Sequence, residues 1–208
     1  MTLSLSKRIY NKFNQIVRNI MNRARRKKLQ NTHFSVLSHN CTGGFMLHDL
    51  GLQFRSPFVN LYLSPEDFIR YLKNIEHYRQ QSLEFINEKD YPVAKLDDLT
   101  LYFMHYHSEQ EAEQKWHERT ARIDMNNLFV IMTERDGCTY QDMQEFDALP
   151  FPNKVLFTHR TYPDIKSSFM IKGFENQTDV GDLYEYTGFN GERYYDQFDF
   201  VSWFNQTK

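Results

Sequence analysis

Hydrophobic residues recur at two different spacings along the 208 residues of the chain. Between residues 6 and 28 they fall at every third or fourth position with Lys and Arg between them, which predicts an amphipathic helix. From residue 33 onward, short apolar runs alternate with segments of helical spacing. This alternation predicts an α/β fold with a mainly parallel sheet between helical layers, preceded by a basic amphipathic N-terminal helix.

The apolar runs and turn residues also predict where each element lies. The predicted strands are residues 33–38, 58–63, 83–86, 93–96, 99–104, 128–132, 154–158 and 167–171. The predicted helices begin near residues 64, 108, 139 and 196, the first two at Ser64 and Ser108 as N-caps. We therefore expect two parts: a basic helical segment at 1–30 and a single α/β domain at 31–208.

Composition narrows the class of protein. A hydrophobic share of 40% with 16% aromatic residues is typical of a globular chain, which excludes a disordered one. Two cysteines do not make a disulfide framework, and no apolar run approaches the ~20 residues that cross a bilayer. Without a secretory signal, the expected location is the cytoplasm, with peripheral attachment to the inner face of the membrane as a further prediction.

Charge is unevenly distributed along the chain. The first 48 residues hold nine basic residues and no Asp or Glu, which leaves the remainder with 16 basic against 27 acidic residues, a formal charge of −11. A basic amphipathic helix is typical of binding to an anionic membrane surface, here through residues 6–28. The alternative is a helix packed on the body with a solvated basic face. Nucleic acid is not expected as a partner, because the body is acidic and carries no recognition motif.

The first candidate for chemistry is the turn His39-Asn40-Cys41-Thr42-Gly43-Gly44, which follows the predicted strand 33–38. Ligands collect at the carboxyl ends of parallel strands, so the residues of this turn around Cys41, including His39, are predicted to contact substrate or an anion. A cysteine at a helix N-terminus is expected to have a lowered thiol pKa, and the glycines allow unusual backbone angles and leave N–H groups free to bind an anion. The alternative is a structural turn with a buried, inert cysteine.

Two further candidates follow the strand 99–104. His105 is the expected proton acceptor for a nucleophile, and His107, which shares its face if the strand continues, is a predicted substrate contact. On the helix that follows, Lys115, Arg119 and Arg122 share a face able to bind phosphate or carboxylate, and Trp116 beside them is a predicted substrate contact. The alternatives are structural histidines and a solvated helix surface. We predict no metal site, since the histidines lack a convincing acidic or Cys ligand nearby.

Short motifs spread over residues 33–158 carry a resemblance to a known family. They include Ser38-His39-Asn40-Cys41-Thr42-Gly43-Gly44, Ser56-Pro57-Phe58-Val59-Asn60, Phe103-Met104-His105-Tyr106 and Asn127-Leu128-Phe129. In these motifs the chain resembles the bacterial family designated domain of unknown function 1919, whose members are often labelled exopolysaccharide or capsular polysaccharide biosynthesis proteins. The chain departs from the family pattern at Thr42, where an aromatic residue is common, and at His39, where Asn is common.

The resemblance implies a transferase in cell-surface polysaccharide biosynthesis that acts on a saccharide or a lipid-linked saccharide. A looser similarity to cysteine-containing polysaccharide acetyltransferases, limited to Asn40-Cys41 and its turn, favours acyl transfer with acetyl-CoA as donor. Cys41 or a substrate hydroxyl would attack the thioester, and His105 would take the proton. The amides of residues 42–44 would hold the oxyanion, and the basic helix face would meet the donor's phosphates. A glycosyl- or sugar-phosphate transferase and a non-catalytic membrane-associated assembly protein are the alternatives.

Overall fold

A computed structural model of the protein describes residues 4–206. The first three residues of the predicted basic segment and the last two residues of the predicted α/β domain lie outside this range. The helices are α1 (Leu5–Lys28), α2 (Thr42–Leu50), α3 (Pro65–Lys73), α4 (Ile75–Tyr78), α5 (Glu109–Thr120), α6 (Tyr140–Ala148) and α7 (Phe200–Phe204), with a 3-10 turn at Tyr194–Gln197. The strands are β1 (Ser35–Ser38), β2 (Glu84–Ile86), β3 (Val93–Leu96), β4 (Leu99–Tyr102), β5 (Leu128–Thr133), β6 (Lys154–Thr158) and β7 (Ser168–Met170).

A four-stranded parallel sheet in the order β1-β5-β6-β7 forms the centre of the fold. All six residues of β5 are buried, because helices and loops cover both faces of this interior strand. Side chains alternate between the faces, so Leu37 and Val130 pack into one core layer while Val36 and Phe129 pack into the other. The predicted α/β fold, with helical layers flanking a parallel sheet and a helix at the N-terminus, is confirmed.

Three of the predicted strands do not join this sheet. Strands β2, β3 and β4 form a separate antiparallel sheet, which the prediction of one mainly parallel sheet did not anticipate. The cause is the connection between β3 and β4, where only Asp97 and Asp98 intervene. A two-residue loop can join only antiparallel neighbours, and Asp97 supplies the positive φ of 58° that such a turn needs.

The predicted strand at residues 58–63 is not formed. Only Tyr62 pairs in a strand-like manner, through an isolated antiparallel bridge to Tyr102. Asn60 has a φ of 61°, which lies in the left-handed region and interrupts the extended backbone before a strand can form. The apolar residues Phe58, Leu61 and Leu63 are nevertheless buried, so the run belongs to the core without being part of a sheet.

Helix α1 packs on the body through its polar face. Its buried residues are Asn14, Arg18 and Asn22. Arg18 is fully buried and donates from Nη1 to Asp196 Oδ2 at 2.7 Å and from Nε to Asp49 Oδ2 at 2.9 Å. The helix therefore packs on the body as one sequence interpretation expected, but its apolar side faces outward. Among the helices of residues 4–206, none has the length and hydropathy needed to span a bilayer.

Candidate functional site

The candidate turn joins β1 to α2 at the carboxyl edge of the parallel sheet. Cys41 is the N-cap residue of α2, although its side chain forms no capping hydrogen bond. Neither Gly43 nor Gly44 has a positive φ, contrary to the expectation of unusual backbone angles, because both lie in the first turn of α2. Gly43 is needed for packing instead. A Cβ there would lie 2.9 Å from carbon atoms of both Ser38 and Val36, so only glycine lets α2 approach β1 this closely.

The amides of the turn already have partners within the protein. Thr42 N–H donates to Asn40 Oδ1 at 3.1 Å, and Gly43 N–H donates to Ser38 Oγ at 3.4 Å. These two bonds satisfy N–H groups that a helix N-terminus otherwise leaves open. The expectation of free amides from Thr42 to Gly44 that hold an anion is therefore not met for two of the three residues.

His39 and Asn40 connect the end of β1 to the end of β5. His39 is fully buried, and burial, reinforced by the charge of Arg135, lowers its pKa to about 3. Its Nε2 lies 3.4 Å from Thr133 Oγ1, and Asn40 Nδ2 donates to the same oxygen at 2.6 Å. His39 is thus a neutral core residue in the structure, and the predicted contact of its side chain with substrate is not available to it.

Cys41 is partly exposed at the edge of this turn. Burial and the charge of Asp182 raise the pKa of its thiol, and the opposing charge of Arg135 is too weak to reverse this. The direction is opposite to the lowering expected for a cysteine at a helix N-terminus. Cys41 therefore stays protonated near neutral pH.

Two neighbouring cavities open in front of the turn, and we call them the two lobes of one groove because they share lining residues. The tyrosine lobe, of about 530 Å³, is lined by Tyr62, Tyr91 and Tyr102 together with charged residues that include Arg135 and Asp182. The phenylalanine lobe, of about 560 Å³, is lined by Phe45, Phe54 and Val59 together with Gln15, His48 and Arg193. Cys41, His105 and Tyr184 line both lobes. These three residues therefore form the boundary at which contents of the two lobes would meet.

His105 reaches the groove by a different route from the one expected. Strand β4 ends at Tyr102, so residues 103–107 form a turn and His105 and His107 do not share a strand face. Because β4 belongs to the antiparallel sheet, the argument from the carboxyl end of a parallel strand was wrong for this feature. His105 is exposed and lines both lobes, whereas His107 lines neither. No hydrogen bond joins Cys41 to His105 within residues 4–206.

The predicted basic face of α5 lies outside the two lobes. Trp116 is almost fully buried and packs edge-on against Phe58, with ring centroids 6.0 Å apart, so it is a core residue and not a substrate contact. Lys115 and Arg122 lie 3.1 and 3.7 Å from the same carboxylate oxygen of Glu118. These pairs are surface ion pairs, as the alternative interpretation of a solvated helix face expected.

Arg119 points inward from the same helix. It donates to Tyr106 Oη at 2.6 Å, and its guanidinium lies 5.6 Å from the centre of the Phe54 ring. Tyr106 in turn donates to the carbonyl oxygen of Val59 at 2.9 Å. Since Phe54 and Val59 line the phenylalanine lobe, Arg119 supports the wall of that lobe from behind.

Several residues of the groove were not found from the sequence. Arg135 Nη1 lies 2.7 Å from Asp182 Oδ1, and Tyr184 Oη donates to Asp182 Oδ2 at 3.0 Å. Tyr184 also stacks on Phe45, with ring centroids 4.6 Å apart. Arg135 could have been found from the sequence, because it is the second residue after the buried strand β5. Asp182 and Tyr184 lie in an irregular segment whose sequence has no periodicity to place it.

A second buried polar cluster lies at the ends of β5 and β6. His159 Nδ1 lies 2.7 Å from Glu134 Oε2, and the hydroxyl of Tyr162 donates to the other carboxylate oxygen of Glu134. The side chains of Glu134 and His159 are at most 7% exposed. None of the three residues lines either lobe, so the cluster connects neighbouring strand ends and leaves the chemistry of the groove to other residues.

The fold and groove define an α/β protein with a two-lobed site at the carboxyl edge of a parallel sheet. Residues 12–205 match the family described as "Domain of unknown function (DUF1919)", and the chain belongs to this family. It is also similar to an uncharacterized protein of Haemophilus influenzae, with 58% identity over 193 residues that cover 92% of this chain and 94% of that protein. The family match includes most of α1 and the segment after residue 158, both outside the motifs at 33–158.

Proposed function

We propose that the protein is a transferase of cell-surface polysaccharide biosynthesis that moves an acyl group from a thioester donor to a saccharide hydroxyl. The observation that supports this proposal is the boundary formed by Cys41, His105 and Tyr184, which line both lobes. Transfer requires two substrates whose reacting atoms come within about 3–3.5 Å, and two lobes that share a wall would place one substrate on each side of the shared side chains. The proposed location is the cytoplasm, at the inner face of the membrane.

The tyrosine lobe suits the saccharide acceptor. A sugar ring presents apolar C–H faces and a rim of hydroxyl groups, and tyrosine offers an aromatic face together with a hydroxyl. The rings of Tyr62 and Tyr102 lie 5.7 Å apart at an angle of 37°, so they offer two aromatic surfaces to one ligand. Asp136 and Asp182 line the same lobe and provide acceptors for sugar hydroxyls.

The phenylalanine lobe suits the acyl thioester, with acetyl-CoA as the proposed donor. Phe45, Phe54 and Val59 provide an apolar wall for the acyl chain and the thioester arm. Arg193 lies at this wall, with its guanidinium 5.2 Å from the centre of the Phe45 ring. Its charge is shared with Asp49, 4.0 Å away in the same lobe, and is the one proposed to meet a phosphate of the donor. In this proposal Arg193 replaces the predicted basic face of α5, which does not line the lobe.

The proposed reaction is direct transfer with His105 as the proton acceptor. The saccharide hydroxyl attacks the thioester carbonyl, and its proton passes to the His105 ring. The C–S bond then breaks, the departing sulfur takes the proton from His105, and an ester and a free thiol result. A direct attack is favoured over a covalent Cys41 intermediate because the raised pKa of Cys41 keeps the thiol protonated and weakly nucleophilic.

Thermal-shift measurements on the full chain test the proposed donor class against the two alternatives. Coenzyme A or acetyl-CoA at about one hundred times Kd should stabilise the protein by about 2.7 kcal/mol, which raises the Tm by roughly 5–10 °C. A shift with UDP-glucose alone would support a glycosyltransferase instead. The absence of a shift with any of these probes would support a non-catalytic protein and count against the proposal.

His105 and His107 form a matched pair for testing the chemistry. With acetyl-CoA and a panel of hexoses and N-acetylhexosamines, His105→Ala should lower the rate of thiol release by about 100-fold or more, the usual contribution of a general base. His107→Ala should leave the rate within about threefold, because His107 is exposed and lines neither lobe. Cys41→Ala should retain activity. An acyl group found on Cys41 by mass spectrometry, or an unchanged rate in His105→Ala, would contradict the proposed reaction.

A further inference from the structure

Large exposed hydrophobic side chains gather on the outer side of α1. They are between 47% and 72% exposed, and they comprise Leu5, Ile9, Phe13, Ile16, Ile20 and, from a loop near the C-terminus, Phe189. Phe189 packs edge-on against Tyr10 of the helix, with ring centroids 4.8 Å apart, so the loop extends the helix surface. We call these six side chains the α1 patch. A contiguous apolar patch on a protein surface marks an interaction site.

The inner side of α1 fixes the direction in which the patch points. Ile9 and Arg18 are nine residues apart, which is about two and a half turns at ~3.6 residues per turn, so they lie on opposite faces. Arg18 is buried between Asp49 and Asp196. Turning the patch inward would expose these buried ion pairs, and it would place aliphatic side chains against two carboxylates. The patch is therefore held outward by the protein's own packing.

The patch is bordered by positive charge. Residues 4–28 contain no Asp or Glu. The exposed basic residues of this segment are Lys7, Arg8, Lys12, Arg23, Arg26, Lys27 and Lys28. Lys12 and Arg23 flank the patch. Lys27 lies seven residues, or about two turns, after Ile20, so this cation lies on the same side of the helix as the patch. The occupant of this surface must therefore combine an apolar region with negative charge.

We propose that the α1 patch binds the protein to an anionic lipid bilayer, with α1 lying in the plane of the interface. In that position the aliphatic and aromatic side chains enter the boundary of the acyl chains, while Lys and Arg stay at the level of the headgroups. A second copy of the chain fits less well, because two patches with the same border of cations would repel each other.

The proposed orientation also brings the groove close to the lipid. Gln15 lines the phenylalanine lobe and precedes Ile16 of the patch in the chain. A helix with its side chains is about 10–12 Å across, so the lobe opens within roughly that distance of the bilayer surface. A lipid-linked saccharide would then reach the groove without leaving the membrane. This last step depends on the proposed transferase function, whereas binding to lipid does not.

Vesicle co-sedimentation of the full chain tests the proposal without reference to activity. We expect binding to vesicles of phosphatidylcholine with phosphatidylglycerol, weaker binding at high salt, and little binding to phosphatidylcholine alone. Ile16→Glu should weaken binding by more than about tenfold, since it replaces an inserted apolar side chain with a negative charge. Asn19→Glu is the matched control, because it makes the same change in charge at an exposed position outside the patch. Asn19→Glu should weaken vesicle binding by no more than about fivefold, which is the usual effect of one charge near an anionic membrane surface.

Two outcomes would overturn the proposal. One is the absence of binding to anionic vesicles, and in that case a dimer that Ile16→Glu dissociates would identify a second copy as the occupant. The other is equal binding by Ile16→Glu and the unmodified protein. Ile16 is 57% exposed, so the variant should fold and its thermal unfolding should be unchanged. If its Tm falls nonetheless, Ile9→Glu, at 60% exposure, replaces it under the same criteria.

Discussion

Replacing Arg18 by alanine should destabilise the protein strongly. The Arg18 side chain is completely buried, and it contacts Asp49, Asp196, the hydroxyl of Tyr195 and the carbonyl oxygen of Gly191. Burial alone would lower the pKa of Arg18, but its hydrogen bonds to the two carboxylates raise it instead. Burial likewise opposes ionisation of Asp49, and the bonds and charge of Arg18 still lower its pKa. Both groups are therefore charged in the folded protein and depend on each other.

The magnitude follows from what Arg18→Ala leaves behind. The Asp49 and Asp196 side chains are only 5% exposed. Without Arg18, the buried Asp49 carboxylate loses its close partner, whereas Asp196 keeps Arg25 at 2.8 Å. Breaking a buried pair by removing one partner costs about 3–5 kcal/mol. For a chain of this size, each kcal/mol lowers the Tm by about 2–4 °C, so a decrease of roughly 6–20 °C is expected.

Thermal and denaturant unfolding followed by circular dichroism measure this loss. Arg23→Ala is the matched control, since Arg23 is an exposed arginine of the same helix, and its effect should stay within about 0.5 kcal/mol. Because α1 can detach before the body unfolds, limited trypsin digestion at the basic residues 25–28, which both variants retain, should accompany the melts. If Arg18→Ala changes neither the Tm nor the rate of cleavage relative to Arg23→Ala, the buried ion pairs do not hold α1 and the reasoning is refuted.

Two further predictions concern the turn between β1 and α2. The pKa of His39 is about 3 in the folded protein, below its ordinary value of about 6.5. Between these two pH values the unfolded chain therefore binds more protons than the folded protein. The free energy of unfolding consequently decreases as the pH falls through this range. Urea unfolding at about pH 7 and 5 should show this loss of stability, at most about 1.4 kcal/mol per pH unit. His39→Gln should make the free energy of unfolding depend less on pH. An equal pH dependence in the variant and the unmodified protein would contradict the lowered pKa of His39. The raised pKa of Cys41 predicts slow alkylation by iodoacetamide near neutral pH and faster alkylation as the pH rises, and a rate above that of free cysteine at about pH 7 would contradict it.

Local signals in the sequence predicted most helices and strands. Ser64 and Ser108 accept hydrogen bonds from backbone N–H groups three residues on, as expected of N-caps. The continuous apolar run at β5 correctly indicated a strand buried on both faces. The antiparallel sheet was missed although its signal was present, because a gap of two residues at Asp97 and Asp98 between two strands specifies a hairpin.

The candidate site was less predictable, because it depends on contacts between distant parts of the chain. The turn at Cys41 and the residue His105 do line one groove, but the groove is completed by Tyr184, which is 143 residues after Cys41 in sequence. The role of Trp116 was misjudged for a related reason. An aromatic residue beside basic ones has the same local pattern whether it binds substrate or, as here, fills a core between Phe58 and Phe103.

The orientation of α1 shows most clearly what periodicity leaves open. An amphipathic helix on a globular body normally buries its apolar face, and the spacing of Ile9, Phe13 and Ile16 fits that arrangement as well as the observed one. The choice is made by Arg18, whose charge is compensated only inside the protein, by Asp49 and Asp196. Since Asp49 is the first acidic residue in the sequence and Asp196 lies near its other end, only the folded chain brings them to Arg18. The polar face is therefore the buried one, and the apolar face is left available for a surface outside the protein.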